Sequence, residues 1–118
     1  MNISFTGKTV MVTGAGAGIG AVTAKDFGSL GANVAVVDMN IDAARATSLE
    51  INANGGMSEA FACDISDETQ VANTIASIVK RFGSLDCAFN NAGIGPDGVR
   101  IPYGALTETD SSTWRKIC

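Results

Sequence analysis

The sequence contains no histidine, which removes every mechanism that rests on an imidazole base or an imidazole metal ligand. Its three cysteines, Cys63, Cys87 and Cys118, are far apart and odd in number. With no C-x-x-C pair among them, a thiolate metal site of ordinary spacing is excluded. Cys63 and Cys87 fall in apolar, strand-like runs and read as buried free thiols of a reducing compartment. Basic residues are scarce as well. Eight Lys and Arg stand against twelve Asp and Glu, giving a net charge of −4 and a pI near 4.5. A chain that tracks phosphate backbones needs a concentrated basic surface, so no nucleic-acid partner is expected. No apolar run approaches the roughly 20 residues of a membrane span. The opening MNISFTGKTV has neither the charged nor the apolar region of a secretory signal. A cytoplasmic chain without membrane attachment is therefore expected.

Charged residues make up 17% and aromatic residues 6%, while glycine is abundant at 14 residues. That balance suits an α/β protein, in which helices pack closely on a sheet and strands turn sharply into helices. The 118 residues are enough for one domain.

Strand and helix signals alternate. KTVMVT (8–13) is a short β-branched run of low polarity, as in a strand covered on both faces. The spacing predicts a helix over 18–31 with Ile19, Thr23, Phe27 and Leu30 on one face and Gly31 to end it. NVAVVD (33–38) is a second strand, 41–53 a second helix closed by Asn-Gly-Gly, and MSEAFACD (57–64) a third, more edge-like strand. A third helix follows, with Ser66 as cap, Asp67 and Glu68 in its first turn and Lys80 and Arg81 in its last. Its apolar face is Val71, Ile75, Ile78 and Phe82, and Gly83 stops it. LDCAFNNAG (85–93) is a fourth strand; an irregular stretch then leads to the start of a fourth helix near Asp110, where Trp114 and Ile117 begin a stripe. Strict alternation argues for a parallel sheet with right-handed crossovers.

VTGAGAGIG (12–20) lies between the first strand and the first helix, where a dinucleotide fold turns. Lacking Cβ atoms, such a turn lets a pyrophosphate approach the amides of the helix N-terminus. The spacing is T-G-x-x-x-G-x-G, with Gly14, Gly18 and Gly20 fixed. This pattern resembles the classical branch of the short-chain dehydrogenase/reductase family. Three further features agree. Asp38 ends the second strand 18 residues after Gly20, Cys-Asp-Ile-Ser places Asp64 and Ile65 at the end of the third, and Asn-Asn-Ala-Gly (90–93) ends the fourth. The resemblance covers the chain from about residue 6. It implies a Rossmann-type doubly wound parallel sheet with strand order 3-2-1-4, the whole chain being the N-terminal part of one dinucleotide-binding domain. It also implies site roles: Gly14, Gly18, Ile19 and Gly20 at the pyrophosphate, Asp38 at the adenosine ribose, Asp64 and Ile65 at the adenine, and Asn91, Ala92 and Gly93 on the nicotinamide side. Plainer readings stand beside these. Asp38 and Asp64 also suit turn or cap positions, and Asn91 suits a strand end whose backbone it bonds.

Charge decides the cofactor. A carboxylate at 38 accepts both ribose hydroxyls and repels a 2′-phosphate. NADP-preferring relatives usually carry a basic residue before the second fixed glycine or after the second strand; Ala17 and Met39 stand there, so NAD is expected. The crevice between strands one and four is the switch point at which ligands bind. The loop 94–107 starts at its mouth, which would bring Arg100 and Tyr103 near a substrate, though a plain loop role suits both better.

The family's proton-transfer group is a tyrosine followed four residues later by a lysine, helped by a strand-end serine and an asparagine in the fourth helix. Tyr103 is the only tyrosine and Thr107 follows it at that spacing; Ser111 and Ser112 fall at a helix start. No catalytic residue is therefore assigned. The expectation is the cofactor-binding half of an NAD-dependent oxidoreductase that interconverts a small secondary alcohol and its ketone. On this view the sheet is truncated after the fourth strand and the start of the fourth helix, so the 118 residues alone are inactive, marginal and prone to aggregate. A homo-oligomeric parent is implied. The alternative is a free-standing, non-catalytic dinucleotide-binding or interaction module.

Overall fold

The computed structural model describes residues 4–91. Within them the chain runs β1 (Thr9–Thr13), α1 (Gly18–Ser29), β2 (Asn33–Asp38), α2 (Ile41–Ala53), β3 (Met57–Ala62), α3 (Glu68–Phe82) and β4 (Cys87–Asn90). The strands form one sheet in the order β3-β2-β1-β4, every pair parallel. The expected doubly wound arrangement is thus present, with β3 at one end of the order. The expected fourth helix and the residues around it lie outside the described range.

Alternation along the strands sorts the core into two layers. Val10 and Val12 of β1 and Val34 and Val36 of β2 share a layer with Ala24 of α1 and Ala44 and Ile51 of α2. Met11, Ala35 and Val37 point the other way, onto Val71, Ile75 and Ile78 of α3. Two crossover helices cover one face and the third covers the other, as right-handed connections require. β1 is buried at all five residues, which explains its unbroken apolar run. Asp86 ties the start of β1 to the approach of β4: its carboxylate accepts the Thr9 N–H at 2.8 Å, and its own N–H donates to the Thr9 carbonyl at 2.9 Å.

Three local expectations need correction. The fully buried face of α1 is Gly20, Ala24 and Gly28; of the expected stripe Ile19, Thr23, Phe27 and Leu30, Phe27 packs against the core half-buried and none is fully buried. Ile19 is 77% exposed. The reason is proximity: a Cβ on Gly28 would lie 2.8 Å from Ile51 Cγ2, so only small residues let α1 approach α2 this closely. The cap of α3 is Asp67, whose Oδ1 accepts the Thr69 and Gln70 amides at 3.0 and 3.2 Å; Ser66 is engaged instead by Asp64. Cys63 is a buried free thiol as expected, whereas Cys87 is buried but disulfide-bonded. Among the described residues no helix is long and apolar enough to cross a membrane, and no cluster of His, Cys, Asp and Glu could hold a metal ion.

Candidate dinucleotide site

Parallel strands all point their carboxyl ends the same way, so the three described β–α turns and the end of β4 gather at one edge of the sheet. The order β3-β2-β1-β4 puts the switch point between β1 and β4. Thr13 and Asn90 are paired across it, and the Thr13 hydroxyl donates to Asn90 Oδ1 at 3.1 Å.

The glycine turn after β1 has distinct requirements at each fixed position. Gly14 and Gly18 take φ of +63° and +60°, where a side chain is strained. Gly20 is needed for closeness, since a Cβ there would lie only 2.1 Å from the Gly14 carbonyl oxygen. The turn feeds α1 through Ala17, an extended N-cap residue that offers no side-chain bond, and the first turn of α1 has no acidic residue. Its leading amides are therefore left to a ligand or to water, with the positive end of the helix dipole behind them. An anion is the chemically suited partner. Ile19 stands exposed beside these amides.

Asp38, at the end of β2, has both carboxylate oxygens fixed. Oδ2 accepts the Gly16 N–H at 2.8 Å and Oδ1 the Asn40 N–H at 2.9 Å. Beside it opens a pocket of about 140 Å³ lined by Gly14, Asp38, Met39, Cys63 and Ile65. Asp64, after β3, accepts the Ser66 hydroxyl at 2.6 Å and the Ser66 N–H at 3.0 Å. Those bonds, the hydroxyl first, hold its carboxyl below the usual carboxylate range. It closes a local turn and is not the cap of α3. Burial pushes the Cys63 thiol up, with the Thr74 side-chain bond opposing and the charges of Asp64 and Asp67 adding to the rise. Asn91 follows β4, and its Nδ2 is buried without a hydrogen-bond partner.

Gly14, Gly18, Ile19, Gly20, Asp38, Asp64, Ile65 and Asn91 thus gather at the carboxyl edge; Ala92, Gly93, Arg100 and Tyr103 lie outside the described residues. Sequence reasoning weighed Met39 only for its lack of charge and did not place Cys63 or Gly16 at the site. Met39 and Cys63 line the pocket, next in sequence to Asp38 and Asp64. Gly16 is an extra glycine beyond the fixed pattern.

The residues present fit a dinucleotide. A turn that excludes side chains at Gly14 and Gly18 by backbone angle and at Gly20 by contact faces unclaimed helix amides, a fixed carboxylate borders a pocket, and Asn91 holds a spare buried donor. What is known of similar chains agrees. The family model described as short chain dehydrogenase matches residues 8–118. The chain is 45% identical over 101 residues to the 2,5-dichloro-2,5-cyclohexadiene-1,4-diol dehydrogenase of Sphingobium indicum, covering 86% of this chain and 39% of that one. The crystal structure of an NAD+-bound xylitol dehydrogenase superposes with a TM-score of 0.72 at 38% identity, over 75% of this chain and 34% of that one. A metagenomic short-chain oxidoreductase in complex with NADP gives a TM-score of 0.72 at 40% identity, over 76% and 41%. The chain thus spans between about a third and two fifths of the length of the curated relatives it matches.

Proposed function

The chain belongs to the short-chain dehydrogenase family, and from that premise we propose that it binds NAD along the carboxyl edge of its sheet and serves the interconversion of a secondary alcohol and its ketone. The cofactor, when bound, supplies hydride chemistry; this chain's own residues bind and orient it. The amides opening α1, reached over Gly14, Gly18 and Gly20, hold the pyrophosphate. Asp38 takes the ribose hydroxyls, and Met39, Cys63 and Ile65 shape the adenine side together with Asp64. Asn91 offers its unpaired Nδ2 near the switch point.

The observation that carries the choice of NAD is the Asp38 carboxylate, held by two backbone amides at the border of the pocket with no cation at Ala17 or Met39 to offset it. A 2′-phosphate brought there meets a fixed negative charge. Calorimetric titration of the purified chain is expected to give a dissociation constant for NAD at least about tenfold below that for NADP, a difference of about 1.4 kcal/mol. Tighter binding of NADP would refute the cofactor assignment.

The 118 residues contain no Tyr-x-x-x-Lys, and on their own they are proposed to bind without catalysing. The second reading is a free-standing, non-catalytic dinucleotide module. Alcohol-dependent reduction of NAD by a longer product of the same reading frame, with none by the 118 residues, distinguishes a dehydrogenase from a module. A small alcohol or ketone substrate, a cytoplasmic location and a homo-oligomeric parent without nucleic-acid or membrane partners complete the proposal.

A further inference from the structure

We propose that Gly16, which is not one of the fixed glycines of the turn, positions the Asp38 carboxylate and thereby sets the preference between a free and a phosphorylated ribose 2′-hydroxyl. The inference rests on the reading of Asp38 as the ribose-binding acid.

Two independent features carry it. The first is the bond: the Gly16 N–H donates to Asp38 Oδ2 at 2.8 Å, across 22 residues of sequence. With the Asn40 N–H on Oδ1, this leaves the carboxylate little freedom to rotate. A carboxylate has about four acceptor sites, so two backbone donors still leave capacity for two ribose hydroxyls. The second feature is space. A Cβ on Gly16 would lie 2.6 Å from Ala43 Cβ, 2.8 Å from Asp38 Oδ2 and 3.1 Å from Asp38 Cγ. Ala43 belongs to the first turn of α2, whose N-cap Asn40 holds the Asp42 and Ala43 amides. A helix-borne methyl group cannot swing aside as the end of a long side chain can. Gly16 is not among the glycines with positive φ, so its backbone would accept alanine. What forbids a side chain is the carboxylate and α2.

A methyl group at 16 must therefore separate the turn from Asp38 or rotate the carboxylate away, and either breaks the 2.8 Å bond. NAD then loses a preorganised acceptor for its hydroxyls. NADP loses a fixed charge that opposes its phosphate. The two cofactors respond in opposite senses, whereas damage to the pyrophosphate cradle would weaken both alike.

The test combines two readouts on the full chain. Amide hydrogen exchange in the absence of cofactor is expected to show a protected Gly16 N–H in the wild type and loss of that protection in Asp38→Ala. Calorimetry on Gly16→Ala is expected to give a dissociation constant for NAD raised at least tenfold and one for NADP changed less than threefold or lowered, with circular dichroism verifying the fold. If Gly16→Ala fails to fold, Asp38→Ala and the exchange measurement still decide. An unprotected Gly16 amide in the wild type, or equal weakening of both cofactors by Gly16→Ala, overturns the proposal. A wild type that prefers NADP instead sinks the NAD reading, while the exchange result still reports whether Gly16 holds the carboxylate.

Discussion

Helices α1 and α3 both follow a parallel strand and cross back over the sheet, yet they are built on opposite plans. α3 is finished at both ends by its own residues: Asp67 caps it, Glu68 sits in its first turn, Lys80 and Arg81 in its last, and Gly83 closes it at φ +93°. Its buried stripe is Val71, Thr74, Ile75 and Ile78. α1 has no side-chain cap, no acidic residue in its first turn and no basic residue in its last, and it buries Gly20, Ala24 and Gly28. A helix can satisfy its leading amides with its own side chains or leave them for a ligand, and it cannot do both. α3 is made for the core. α1 is made for closeness and an open end.

The largest effect that could break this comparison is on stability. Ile75 is 1% exposed in the centre of the α3 layer, so Ile75→Ala is expected to cost about 2–5 kcal/mol by urea unfolding. Ile19→Ala on α1 is expected to stay within about 0.5 kcal/mol, because Ile19 is exposed and packs no core. Equal losses at the two isoleucines would mean that α1 also depends on large apolar contacts, and the contrast would fail.

A smaller effect separates the helix ends by sign. Asp67→Ala removes two amide bonds from the start of α3 and is expected to cost about 1 kcal/mol. The complementary change, Ala17→Asp, gives α1 the cap it lacks, at a residue already extended with φ −159° and ψ 165°. Thermal unfolding should then show a rise in midpoint, while NAD affinity falls about tenfold if a carboxylate occupies the amides proposed for the pyrophosphate. A substitution that stabilises the chain and leaves NAD binding unchanged would show that those amides are not the phosphate site.

The same contrast explains what was legible in the sequence. Alternating strands and helices, the all-apolar β1 and the stripe of α3 are hydropathy patterns, and they gave the parallel sheet and both of its covered faces. Gly14, Gly18, Gly20, Asp38, Asp64 and Asn91 stand at strand ends in a fixed order, so their common edge could be read as well. The packing face of α1 could not, because Gly20, Ala24 and Gly28 carry almost no hydrophobic signal and Ile19 carries a misleading one. Gly16 was hidden for a different reason: its partners Asp38 and Ala43 lie far along the chain and meet it only in the fold. Ser66 and Asp67 are adjacent and both suit a cap; the choice fell to Asp67 because Asp64 draws Ser66 into a turn of its own.

That last turn yields the smallest and most local effect. The turn after β3 is closed by its own side chains, whereas the turn after β1 is not, and Asp64 reports the closure through its titration. Its carboxyl is held low chiefly by the Ser66 hydroxyl, then by the Ser66 N–H. The ionised form is therefore the one the fold favours. Its contribution is present above the unfolded value of about 3.9 and is lost as pH falls through the lower folded value. Ser66→Ala removes the hydroxyl and keeps the amide, so the Asp64 midpoint followed by carboxyl NMR should move up toward the ordinary range without passing it. Unfolding curves of the two chains should differ most above about pH 4, where the ionised carboxylate keeps the hydroxyl bond in the wild type alone, and converge as pH falls through the folded value and both carboxyls are protonated. An unmoved midpoint would mean that the hydroxyl does not hold Asp64, and that the third turn is as open as the first.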